Sequence, residues 1–154
     1  VAEKILDGVA ADILVANWAV IGLVNDNIVV ENEGTPVRID NGGSFMFRAL
    51  GSLKPPAQLL AIDEWEYFSG LKKGISASTG SYLGIIIAAG YTTLDDIKPR
   101  IREQIIKINQ VAKVTGDFEQ LVPALPGVDS GERTMMLCML KERWKLLCQR
   151  LCIS

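Results

Sequence analysis

The spacing of apolar and polar residues predicts a chain that is mostly helical. Apolar residues recur at helical intervals, with charged residues between them, in the long segments and in several short ones. The predicted helical segments are 1–17, 57–68, 82–89, 100–115, 117–125 and about 133–152. Three consecutive isoleucines in 82–89 would also suit a strand, and 57–68 could instead be a surface segment. Pro99 is expected to separate a short turn, capped by Thr92 or Thr93, from the helix that follows.

One β-hairpin interrupts the helical pattern. Two short runs rich in β-branched residues, 28–30 and 37–39, flank a polar turn that contains Gly34. Asn27 directly precedes the first run, and Asp40 follows the second. Because a hairpin brings its open ends together, this carboxamide and this carboxylate could share a metal ion. The predicted fold class is therefore α+β, predominantly helical, with a β-hairpin that carries the candidate chemistry.

Length and charge limit the functions that are possible. A chain of 154 residues suits a single domain, 1–154, with one core. Its formal net charge of −2 argues against nucleic acid as the main partner, because backbone binding needs an electropositive face. No apolar run reaches the 18 or so residues of a membrane span, so no span is predicted.

The titratable residues exclude several reaction classes. The chain contains no histidine, which removes Ser-His and Cys-His nucleophilic mechanisms and imidazole-based zinc sites. All three cysteines, Cys138, Cys148 and Cys152, lie in the last predicted helix and make a poor disulfide framework. We interpret them as buried or half-buried thiols in a reducing compartment, which indicates a cytoplasmic location.

The order of elements around the hairpin is that of a phosphoryl-transfer site. Protein kinases have a helix, a catalytic loop with Asp and then Asn, a hairpin, and then a metal-binding Asp followed by Gly. Here a helix leads to a loop that ends in Asn27, and the hairpin leads to Asp40-Asn41-Gly42. In kinases the Asn and the second Asp hold Mg²⁺ against the nucleotide phosphates.

Two segments carry a resemblance to a known family. Residues 16–30 read ANWAVIGLVNDNIVV, and residues 37–51 read VRIDNGGSFMFRALG. They resemble a bacterial and phage family of atypical kinase-like domains, which is related in pattern to HipA-like and secretory-pathway kinases. The resemblance implies a kinase-like C-lobe with Mg²⁺ and ATP as cofactors, and with Asn27 and Asp40 as metal ligands. It also implies supporting or phosphate-facing roles for a further set of residues, namely Arg38, Asn41, Ser44 and Arg48.

One position departs from the family pattern. The family has Asn-Trp-Asp, whereas this chain has Asn17-Trp18-Ala19. The missing Asp is the carboxylate expected to orient the nucleophile, and a methyl group cannot accept a proton. The resemblance therefore implies either a natural pseudokinase or a form inactivated by substitution. Asp26 is a conceivable substitute, although it lies seven residues further along the chain.

The resemblance covers a C-lobe alone. The 18 residues before the loop position cannot hold an N-lobe with its Gly-rich loop and Lys-Glu pair. We therefore expect an N-lobe segment or a partner chain to close over the nucleotide, and weak nucleotide binding by this chain alone. The expected location is the bacterial cytosol, or the host cytosol for a secreted effector.

An alternative function needs no enzyme chemistry. The chain could be a helical interaction or effector domain on a kinase-like scaffold. A protein partner would then bind the basic final helix or a surface formed by residues 65–68, Trp-Glu-Tyr-Phe. The acidic cluster Asp63, Glu64 and Glu66 is predicted to lie at the surface.

Overall fold

The computed structural model describes residues 1–22, 24, 26–48, 50–69, 77–112, 118–119 and 127–153. The described part is helix-rich and carries one two-stranded hairpin, which confirms the predicted α+β class. Its helices are α1 (Ala2–Ile5), α2 (Val9–Leu14), α3 (Pro56–Leu59), α4 (Glu64–Phe68), α5 (Ala77–Ala88), α6 (Lys98–Ala112) and α7 (Ser130–Leu151). The hairpin strands are β1 (Ile28–Val30) and β2 (Pro36–Arg38), and 3₁₀ turns span Leu6–Gly8 and Leu94–Ile97.

The predicted helix 1–17 is divided by the 3₁₀ turn at Leu6–Gly8 and ends at Leu14. The last residue of this turn has to be a glycine, since a Cβ on Gly8 would lie 2.5 Å from the guanidinium atoms of Arg38. Arg38 donates through Nη2 to the Ile5 carbonyl at 3.0 Å and to Asp12 Oδ2 at 2.5 Å. The turn therefore makes room for the side chain that fastens the hairpin to the helical body.

The other helices follow the predicted pattern, with shifted ends. Segment 82–89 lies in helix α5 rather than a strand, and segment 57–68 forms the two short helices α3 and α4. The predicted short turn and longer helix are separate elements, Leu94–Ile97 and α6, and Pro99 lies in the first turn of α6, where its missing N–H costs nothing. Thr93 forms a capping box with Asp96, as the predicted cap requires. The predicted helix 117–125 lies almost entirely outside the described residues.

The core forms around α2, which packs against α6 and α7. The aromatic rings of Phe68 and Tyr82 stack with centroids 4.3 Å apart, joining α4 to α5. Trp65 and Phe68 are both fully buried. The interaction surface predicted at 65–68 is therefore wrong for these two residues, because their rings are part of the core.

A buried ion pair crosses this core. Arg143 of α7 and Glu64 of α4 are both fully buried and form a salt bridge. Arg143 also donates to backbone carbonyls before the hairpin, including Ile13 O, and Glu64 accepts from Trp18 Nε1 at 2.7 Å. The predicted surface location of Glu64 is thus wrong, because its carboxylate neutralises a buried guanidinium.

The final helix α7 begins at Ser130, with Asp129 as its N-cap, and presents two of its cysteines to solvent. Cys138 and Cys152 are exposed and only Cys148 is half-buried, so the prediction of buried or half-buried thiols holds for one of them.

Among the helices that the structure describes, none combines the length and the apolar character needed to span a membrane.

Candidate functional site

The two predicted metal ligands lie just outside the two strands, at the open end of the hairpin. β1 and β2 pair antiparallel, with Ile28 opposite Arg38. The pairing continues for one more residue, since Ile39 N donates to Asn27 O at 3.0 Å. Asn27 and Asp40 therefore stand at the same end of the sheet, as the sequence predicted for a hairpin.

The carboxamide of Asn27 is held by the loop that contains Ala19. Asn27 is 8% exposed, and its Nδ2 donates to the Ala19 carbonyl at 2.5 Å. This bond fixes the amide orientation and leaves Oδ1 as the side chain's acceptor. Gly22, at φ +80°, passes close to that oxygen, because a Cβ there would lie 2.9 Å from Asn27 Oδ1 and 2.3 Å from Asp26 Oδ1. The absent side chain keeps the space beside both oxygens open.

Asp40 is exposed and fixed through one of its two carboxylate oxygens. Its Oδ1 accepts from the backbone N–H of Gly42 at 2.7 Å, in a local turn that Asp commonly forms. This leaves Oδ2 as the oxygen that could reach a cation.

Asn17 connects the two sides of the site, and it was not among the predicted site residues. Asn17 is 1% exposed, and its Oδ1 accepts from Ala19 N at 3.1 Å. Its Nδ2 donates to Asn41 Oδ1 at 3.3 Å. We call the resulting series, Asn27, Ala19, Asn17 and Asn41, the polar chain. The signal in the sequence was the position of Asn17 at the start of the Asn-Trp-Ala segment.

Ala19, where the family pattern has Asp, lies directly beneath the loop after the hairpin. It is 6% exposed, and a Cβ on Gly43 would lie 2.5 Å from its Cβ. Trp18 N donates to Gly43 O at 3.0 Å and fixes this contact.

Lys54 joins the same two loops and was also missed by the sequence analysis. Its side chain is buried, and Nζ donates to Ala16 O at 2.7 Å, Gly43 O at 2.6 Å and Phe45 O at 2.8 Å. Nζ also lies 4.8 Å from the ring centroid of Trp18. Burial lowers the pKa of Lys54 to about 7; the Glu64 carboxylate opposes this shift. No side-chain pattern in the sequence indicates Lys54, because its partners are backbone carbonyls.

The remaining predicted site residues lie near the hairpin end, and their contacts differ from one residue to the next. Ser44 is buried, and within the described part of the chain its Oγ has no hydrogen-bond partner. Arg48 is exposed and lies 5.5 Å from the Trp18 ring centroid, where its guanidinium could still reach an anion. Arg38 pairs with Asp12 instead, so it supports the hairpin rather than facing a phosphate.

The donor set fits magnesium. Mg²⁺ prefers oxygen ligands, keeps several waters and binds through one or two protein groups plus substrate phosphates. In the contacts above, Asn27 Oδ1 and Asp40 Oδ2 have no hydrogen bond of their own, so both oxygens are available to a cation. In the described ranges, no three or more acidic or cysteine side chains are grouped so that they could hold a metal ion. The described residues therefore do not form a closed site in which protein groups supply every ligand.

Comparisons with known proteins found no relative of this chain. No protein-family model, curated protein or solved structure matches this chain. The residues and geometry of the hairpin end are therefore the basis on which a function can be assigned to this chain.

Proposed function

We propose that this chain is a kinase-like C-lobe that binds Mg-ATP at the open end of the hairpin, with Asn27 and Asp40 as metal ligands. In this form it binds nucleotide without efficient phosphoryl or nucleotidyl transfer, because Ala19 supplies no carboxylate. An N-lobe segment or partner chain would cover the nucleotide, so binding by this chain alone is expected to be weak.

The single observation that supports this proposal most is the polar chain. It links Asn27 directly to the Ala19 carbonyl, and through Asn17 to Asn41, which follows Asp40. A hairpin with polar turn residues needs no such connection to a loop at position 19. An Mg-ATP site needs it, because the metal ligands and the position of the nucleophile must be held in one geometry.

Each residue then has a distinct task. Asn27 and Asp40 would hold Mg²⁺, which neutralises phosphate charge when bound. Asn41, positioned by Asn17, and the exposed guanidinium of Arg48 would orient the phosphate oxygens. Ser44 is buried beneath this loop, where its hydroxyl would need a movement of the loop to reach a phosphate.

The test uses Mn²⁺ in place of Mg²⁺, because its unpaired electrons broaden nearby NMR signals even when binding is weak. Addition of Mn-ATP to the ¹⁵N-labelled chain should selectively broaden the amide signals of residues 26–28 and 40–43. Asp40→Asn keeps the acceptor for Gly42 N but removes the charge, and should abolish the selective broadening.

The control removes a carboxylate from the same hairpin, away from the site. Glu31 is exposed at the turn between β1 and β2, and Glu31→Gln should leave the broadening unchanged. Equal broadening in Asp40→Asn and Glu31→Gln would show that Mn²⁺ binding does not depend on the Asp40 carboxylate, and the metal-site assignment would then be rejected.

A second candidate function is a non-enzymatic interaction domain, and the outer face of the hairpin favours it. Val29 and Val37 lie opposite each other on the face away from Arg38, and Ile39 follows them. They are 47%, 38% and 60% exposed, which is unusual for neighbouring aliphatic residues. Light scattering after size exclusion discriminates the two functions. Self-association that Val37→Asp abolishes, with no response to Mn-ATP, would favour the interaction domain over the nucleotide site.

A further inference from the structure

Lys54 is placed where two irregular loops meet. One loop leaves α2 and leads to Ala19, and the other follows the hairpin through Gly43. Two backbone bonds already cross between them, from Trp18 N to Gly43 O at 3.0 Å and from Phe45 N to Val15 O at 2.6 Å. Lys54 adds three more donors at this junction, one to the first loop and two to the second.

Two of the three carbonyls that Lys54 binds belong to residues with strained backbones. Ala16 has φ 53° and Phe45 has φ 52°. Among the described residues, only these two and Cys152 combine a positive φ with a side chain. The left-handed conformation is unfavourable for residues with a Cβ, and it persists where surrounding bonds determine it.

There is a physical reason why the Lys54 amine binds the carbonyls of the two residues with a left-handed backbone. At Ala16 and Phe45 the carbonyl is directed toward the Lys54 amine, and this contact is buried at Ala16 and partly buried at Phe45. A buried carbonyl that loses its donor is costly, and a protonated amine supplies three N–H groups at one point. We infer that Lys54 is a positioning residue whose amino group holds Ala16 and Phe45 in their left-handed conformations and so keeps the Ala19 loop against Gly43.

This arrangement determines the geometry of the polar chain. The Ala19 carbonyl accepts a hydrogen bond from Asn27 Nδ2, and the Ala19 N–H donates one to Asn17 Oδ1. A shift of the Ala19 loop would therefore move both partners. The effect of Lys54 on Mg-ATP binding rests on the proposed function, whereas its effect on the loops does not.

The test measures amide hydrogen exchange at pH 6, where Lys54 is mostly protonated. The reporters are the N–H groups of Trp18 and Phe45, since both cross the junction. Lys54→Met keeps the length of the side chain and removes every donor. Protection of the two reporters should fall by about tenfold or more, which corresponds to the loss of charge-assisted hydrogen bonds. Reporters in α6 should keep their protection.

A second substitution separates this role from ordinary packing. Ala16→Gly removes the conformational penalty at φ 53°, so it should restore most of the lost protection in the Lys54→Met background. Ala10→Gly is the matched control, because Ala10 is equally buried but lies inside α2. It should restore nothing. If Lys54→Met does not fold, recovery of folding by Ala16→Gly and not by Ala10→Gly supports the same conclusion.

Two results would overturn the inference. One is unchanged protection of Trp18 and Phe45 in Lys54→Met; the other is no difference between the Ala16→Gly and Ala10→Gly backgrounds. Mn-ATP broadening is then recorded for the same variants and should weaken in Lys54→Met and return with Ala16→Gly. If the unsubstituted chain shows no selective broadening, the proposed function fails, while the exchange data still decide the role of Lys54.

Discussion

Gly43 packs directly against Ala19, with no room for a side chain between them. A Cβ on Gly43 would lie 2.5 Å from Ala19 Cβ and 2.9 Å from Ala19 N. Gly43→Ala must therefore displace the loop backbone, and we expect the free energy of unfolding to fall by about 1–3 kcal/mol. Urea denaturation measures this change.

The control for this substitution is Gly84→Ala. Gly84 lies in α5, and a Cβ there would have nothing within 4 Å. Alanine is the better helix former, so stability should rise by up to about 1 kcal/mol. A Gly43→Ala variant as stable as the unsubstituted chain would mean that the loop tolerates separation from Ala19, and the close contact would lose its significance.

Replacement of the missing carboxylate tests the enzyme hypothesis. We expect Ala19→Asp to raise ATP turnover by about 10²–10⁴-fold over Ala19→Asn, which has nearly the same shape but no base. The assay includes the N-lobe segment or partner chain that the proposal requires, and it follows ADP release or adenylyl transfer. Equal turnover in the two variants would remove the main support for an enzyme of this class.

The buried pair between Arg143 and Glu64 should dominate the stability of the fold. Glu64→Gln leaves a fully buried guanidinium without its counter-charge, and we expect the free energy of unfolding to fall by about 3–5 kcal/mol. Lys141 pairs with Glu119 at 3.1 Å on the surface, and Lys141→Met should cost no more than about 1 kcal/mol. Comparable losses in the two variants would contradict a special role for the buried pair.

The hairpin and the helical segments could be predicted because their signals are local. The two β-branched runs around the turn at Gly34, and the helical spacing from 100 onward, need only neighbouring positions. The helix 1–17 was predicted without its 3₁₀ turn at Leu6–Gly8, where Gly8 leaves room for Arg38, a residue 30 positions later that contacts it in the fold. Local periodicity does not contain that contact.

The residues that hold the candidate site in place could not be predicted either, because their contacts also join positions that are far apart in the chain. Lys54 binds backbone carbonyls, which every residue has, so no pairing of side-chain types reveals it. Arg143 and Glu64 lie 79 positions apart and each is ambiguous alone, since charged residues on a helix usually face solvent. The placement of Asn27 and Asp40 at one end of the sheet could be predicted, because a hairpin necessarily unites the residues at its open end.

The pH dependence of stability should reveal the buried amine. Burial lowers the pKa of Lys54 from 10.5 to about 7, with Arg143 and Arg48 adding to the effect and Glu64 opposing it. Between about pH 7 and 10 the unfolded chain therefore retains a proton that the folded chain has lost. The free energy of unfolding should rise with pH in this window, by at most about 1.4 kcal/mol per pH unit from this group.

The two substitutions that isolate this contribution are Lys54→Met and Lys145→Met. The first should remove the rise, because no amine is then left to titrate at the junction, while the second deletes an exposed lysine of α7 and should keep it. Denaturant unfolding at pH 7, 8, 9 and 10 gives the slope for each variant. The same slope in Lys54→Met and Lys145→Met would mean that the Lys54 amine does not have a lowered pKa in the folded chain, and this prediction would be rejected. The positioning role is decided by the exchange measurement and not by this slope, because hydrogen bonds from the ammonium to carbonyls raise its pKa and so oppose the effect of burial.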